Sequence, residues 1–142
     1  MLRRALAPLT GLALAGLIAG ASPAGADVET FTVTMTGEQE APNPGDPDAT
    51  GLARITVDTA TNRICFVLTV SRMEPANNAH IHLAPRGVAG PVVVPLPAPT
   101  NGRSAGCVVD SDADAIAANP AAYYVNVHNA PFPGGAVRAQ LA

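Results

Sequence analysis

Period-two alternation of apolar and polar residues recurs along this chain, and turn-forming residues break it into short segments. A strand sends successive side chains to opposite faces, so this pattern describes strands buried on one face. Phe31, Val33 and Met35 alternate with Thr32, Thr34 and Thr36. Further strands are expected at 52–57, 64–70, 79–83, 92–94, 106–109, 121–128 and 136–141. Asp58-Thr59-Ala60-Thr61-Asn62 is a turn cluster that joins the second and third of these as a hairpin. Gly37 to Thr50 and Pro95 to Arg103 are Pro/Gly-rich loops. Ser111-Asp112-Ala113-Asp114-Ala115-Ile116-Ala117-Ala118 carries a cap candidate, first-turn acids and good helix formers, and Pro120 limits it. Together these features predict an all-β fold: an antiparallel, Greek-key-like β-sandwich of about eight strands, with one short helix crossing between sheets.

The first residues belong to a different pattern. Arg3-Arg4, an apolar run from Leu6 to Ala21, and Ala24-Gly25-Ala26 have the layout of a secretory signal peptide. Residues 1–26 are therefore expected to be a leader and residues 27–142 a single exported domain, with no membrane span after cleavage. The apolar run is broken by Pro8 and several glycines, which argues against an uncleaved anchor. The basic residues are all arginine and form no stripe, so nucleic-acid binding is not expected. Cys65 and Cys107 are the only cysteines, and an even pair in an exported chain is expected to form a disulfide rather than remain as buried thiols.

The three histidines all lie in two of the strand segments. His80 and His82 share one face of Ala79–Leu83, with Ala79, Ile81 and Leu83 on the other. Tyr124, Asn126 and His128 share one face of the later segment, with Tyr123, Val125 and Val127 opposite. If both apolar faces enter the core, the imidazoles emerge together on the outer face of one sheet. A His-x-His pair on a strand places its Cα atoms about 7 Å apart. Two readings fit this spacing. Neutral imidazoles could hold a metal, with an open position that suits copper or zinc. Alternatively, the ring nitrogens bond loop carbonyls and Asn126 caps the network.

Other chemistry is poorly supported. Asp110, Asp112 and Asp114 suggest a calcium loop, but Ala115 and Ala121 stand where that loop needs Gly and Glu. Ser71, Ser104 and Ser111 lack a nucleophile elbow. Glu38 and Glu40 lie beside a Pro-rich loop and read as solvated carboxylates.

Several motifs resemble the CHRD domain, first named from chordin. They are Gly37-Glu38-Gln39-Glu40-Ala41-Pro42, Ala79-His80-Ile81-His82, Gly87 to Leu96, Asn119-Pro120, Tyr124-Val125-Asn126-Val127-His128, Phe132-Pro133-Gly134-Gly135 and Val137 to Leu141. The likeness spans essentially the whole of 27–142. It implies an immunoglobulin-like or superoxide-dismutase-like sandwich and a secreted module, without a settled activity. Asn129, Ala136 and Ala139 depart from the family's usual Thr, acid and Gly.

The leading expectation is an exported, non-catalytic binding module with a surface metal site of His80, His82 and His128, for copper in preference to zinc. Asn126 would orient a ligating ring by accepting a hydrogen bond from its other N–H. Glu40 and Arg138 would form an internal ion pair tying the first strand to the last. Metal binding should weaken as pH falls through about 6.5. One alternative is a copper redox enzyme resembling superoxide dismutase, although three histidines cannot build that enzyme's full imidazole set. Another is a metal-free adhesion or structural module with an extracellular protein partner.

Overall fold

The computed structural model describes residues 27–142; the expected leader lies outside the described residues. The chain forms eight strands: β1 (Val28–Thr36), β2 (Thr50–Asp58), β3 (Arg63–Ser71), β4 (Ala76–Leu83), β5 (Val92–Leu96), β6 (Arg103–Val109), β7 (Tyr123–Asn129) and β8 (Val137–Gln140). One helix, α1 (Ala113–Ala118), and two 3₁₀ turns complete the described elements. Every strand expected from alternation is present, and the helix crosses from β6 to β7 as anticipated. No helix among the described residues is long and apolar enough to cross a membrane.

The strands form one antiparallel sheet in the order β5-β4-β7-β8-β1-β2-β3-β6. β1 and β8 meet at a single register pair, Thr36 with Arg138. Around this narrow seam the sheet bends back on itself into two packed halves. Met35, Ile55, Ile64 and Leu68 from one half share a core with Ile81, Val94, Val125, Val127 and Val137 from the other. Burial of such side chains contributes roughly 1.5–3 kcal/mol each before conformational entropy is charged against it. The sandwich expected from sequence is thus a single sheet folded over, nearly a barrel.

Local chemistry fixes the register of the main hairpin. β2 and β3 pair from Thr50–Ser71 to Asp58–Arg63 without a bulge. In the turn, Asp58 accepts hydrogen bonds from the Ala60 N–H and the Thr61 hydroxyl, and Asn62 takes a left-handed φ of 52°. Asn tolerates that region because its short polar side chain bonds locally. Cys65 and Cys107 are cross-strand partners and are joined by a disulfide that ties edge strand β6 to β3. α1 buries Ala113 and Ile116. Its start is held by Asp110, whose carboxylate accepts the Asp112 N–H, while Asp112, at the N-cap position, makes no side-chain bond.

Two departures bear on the site. Leu83, expected to point inward with Ala79 and Ile81, lies at the strand end and is 43 % exposed. β7 and β8 are buried along their whole length rather than on alternate residues. The inner face of these strands meets the core, and their polar outer face lies beneath loops.

Candidate metal centre

Strand pairing assembles the polar face in rows. His80 lies opposite Asn126, and Asn126 opposite Arg138. His82 lies opposite Tyr124, and Tyr124 opposite Gln140. His128 lies one row along, opposite Asn78. Cross-strand partners share a face, so β4, β7 and β8 present three imidazoles, three amides, a phenol and a guanidinium on one surface. The face parity read from sequence therefore holds for all three histidines.

The rings converge. One nitrogen from each of His80, His82 and His128 lies within 4.8 Å of the other two. His80 Nδ1 is 3.2 Å from His128 Nε2. Two rings have their orientation set by backbone carbonyls. His82 Nδ1 is 2.9 Å from Gly90 O, and His128 Nδ1 is 2.9 Å from Pro133 O. A carbonyl oxygen only accepts, so both Nδ1 atoms carry the proton and both Nε2 atoms present lone pairs. His82 Nε2 is buried with no hydrogen-bond partner. Asn126 Oδ1 lies 3.0 Å from His128 Nε2. Gly90 O and Pro133 O each hold a ring through Nδ1, and Asn126 Oδ1 lies against the other edge of the His128 ring.

The site is more enclosed than the expected surface patch. His82 and His128 are buried, and His80 is half-buried. The roof is the β4–β5 connection, residues 84–91, four of whose carbonyls bond side chains of the site. Gln140 Nε2 donates to Ala84 O, and Arg138 donates to Pro85 O and Val88 O. Gly90 accepts from His82 and donates its own N–H to the Tyr124 hydroxyl. Tyr124 stacks flat on His82 with ring centroids 4.6 Å apart, and the Arg138 guanidinium carbon sits 3.4 Å from the Tyr124 centroid. A cation over an aromatic face is attracted by the ring quadrupole.

Burial dominates the electrostatics. It pushes His80 down to about 4, reinforced by His128 and then His82. It also lowers His82 and His128, against the opposing pull of the Gly90 and Pro133 carbonyls. All three rings are therefore neutral at pH 7, the form that ligates metals. Glu40 is pushed up to about 7 by burial, with Arg138 and the Asn126 side chain acting against the rise.

The remaining sequence candidates fall as follows. Glu40 is buried and Glu38 exposed, so the two carboxylates do not act as a pair. Arg138 and Glu40 feel each other through space. The N–H bonds of Arg138, however, go to Pro85 O, Val88 O and Gln140 Oε1 rather than to the carboxylate expected as its ion-pair partner. Sequence reasoning missed Gln140 and Gly90. Gln140 was legible, since it alternates in phase with Arg138. Gly90 and Pro133 lie in irregular loops that carry no period.

No curated protein and no solved structure matches this chain. A sequence model described as the CHRD domain matches residues 31–141, from β1 to the end of β8. With that span covering the sheet and all three histidines, the chain belongs to the CHRD domain family.

Proposed function

We propose that this protein is an exported, non-catalytic CHRD module that binds a transition-metal ion through His80, His82 and His128, with copper the preferred ion. The observation that carries this reading is the inward lone pair on His82 Nε2, buried without a partner, beside His128 Nε2 and His80 Nδ1. A buried acceptor with nothing to accept costs about 1–3 kcal/mol, and a cation among these nitrogens removes that cost. Three neutral imidazoles suit copper or zinc, and a given nitrogen site normally binds Cu(II) more tightly than Zn(II). The half-buried edge at His80 gives the ion a way in. Export is supported by the leader-like first residues and by the Cys65–Cys107 disulfide, which persists in oxidising compartments.

Titration calorimetry with Cu(II) at pH 7 tests the reading. The wild-type protein should bind one equivalent, and His80→Ala should weaken binding by roughly 10- to 100-fold or more. Equal affinity in the two proteins would contradict the site.

A further inference from the structure

Glu40 is 7 % exposed, and its Oε1 has no hydrogen-bond partner. The carboxylate packs directly against Gly135, which has no side chain to displace it and holds a φ of +133°. The Asn126 side chain acts against the rise that burial imposes on the Glu40 carboxyl. The amide oxygen Oδ1 is turned toward the imidazoles, which leaves Nδ2 on the other side of the amide. Oδ1 accordingly lies 3.0 Å from His128 Nε2. The proton of His128 is already on Nδ1, bonded to Pro133 O. Two acceptors therefore face each other, which is unfavourable unless a cation lies between them.

We propose that Asn126 Oδ1 is the fourth donor of the metal centre, completing a three-nitrogen, one-oxygen set, and that Glu40 is the positioning residue that keeps the amide oxygen turned inward. This rests on the metal-binding reading above and specifies its ligand class: a late first-row ion in four-coordinate geometry with a hard fourth ligand. Asn126 is central to the polar face, in register with His80 on one side and Arg138 on the other. It is 1 % exposed. Glu40 is not part of the convergent group of ligand nitrogens.

Cobalt(II) reports this arrangement, because its visible ligand-field bands respond to donor type and number. Full-length wild type, Asn126→Leu, Glu40→Gln and the double variant Glu40→Gln/Asn126→Asp are loaded with Co(II), and Zn(II) affinity is measured alongside. The double variant exchanges amide and carboxylate. It keeps volume and net charge, and its metal-free melting temperature reports whether the fold is intact. Asn126→Leu should move the Co(II) bands and weaken Zn(II) binding by roughly 10- to 100-fold. Glu40→Gln should weaken binding while leaving the bands close to those of wild type. The double variant should bind at least as tightly as wild type, through the carboxylate placed at position 126. If Asn126→Leu binds Co(II) with unchanged bands, the fourth-ligand assignment is wrong and the three-histidine site stands. A wild-type protein that binds neither ion overturns both.

Discussion

Each imidazole is defined by its neighbours more than by its own strand. Gly90 O and Pro133 O fix the proton of His82 and His128 on Nδ1, and burial keeps all three rings neutral. This has a consequence for the metal-free protein. A histidine whose folded pKa lies below its unfolded value of 6.5 makes the unfolded state bind more protons, so stability is lost as pH is lowered. The loss should begin near pH 6.5 and, for His80, continue to about pH 4. Glu40 acts in the opposite sense. Its folded pKa, raised from 4.5 to about 7, makes the native state more stable as pH falls across that interval. Three rings oppose one carboxyl, so the melting temperature without metal should drop between pH 6.5 and 4.5, and a rise would contradict the assigned environments. Gly135 gives a second test at this scale. A Cβ there would overlap the Glu40 carboxylate, at a backbone φ of +133°. Gly135→Ala should therefore cost on the order of 1–3 kcal/mol in urea unfolding. Gly134→Ala, where a Cβ meets nothing within 4 Å, should stay within about 0.5 kcal/mol of wild type.

At the scale of elements, β7 is the spine of the site and the 84–91 connection is its roof. Arg138 holds that roof through two carbonyls while stacking on Tyr124. Arg138→Met keeps the length of the side chain but leaves those carbonyls and Gln140 Oε1 without their donor. It should cost on the order of 1–3 kcal/mol for each acceptor left buried without a donor. Tryptic cleavage after exposed Arg86 in the roof should also accelerate. Edge strand β6 depends instead on the Cys65–Cys107 bond, which spans 42 residues. Replacing both cysteines with Ala should lower stability by about 4 kcal/mol in the chain-entropy account, or roughly 15 °C in melting temperature. How far sequence predicts structure also divides by element. Alternation located all eight strands and put His80, His82 and His128 on one face, because side-chain parity is a local property. The roof was illegible, since hydrogen bonds from Arg138, Gln140 and His82 to loop carbonyls depend on long-range packing. For that reason an exposed patch was expected where an enclosed site exists, and Arg138 was assigned to Glu40 when its donors serve Pro85 and Val88.

For the whole molecule, the bent sheet does two separate jobs. One surface of the β4-β7-β8 layer closes the apolar core, and the other carries the polar site, so ligand chemistry and core packing lie on opposite sides of the same strands. The hinge at Thr36–Arg138 joins the halves beside that site. Occupancy of the centre should therefore be felt globally. A ligand that binds only the native state at a hundred times its Kd adds about 2.7 kcal/mol of stability. Copper should then raise the melting temperature by roughly 10 °C, and His82→Ala should abolish that rise. The most direct measurement is pulsed electron paramagnetic resonance on protein loaded with one equivalent of Cu(II), which counts the histidine nitrogens coupled to the ion. Three coupled imidazoles, falling to two in His80→Ala, is the expected result; an ion coupled to none, or to a single ring, would contradict the centre assigned to His80, His82 and His128.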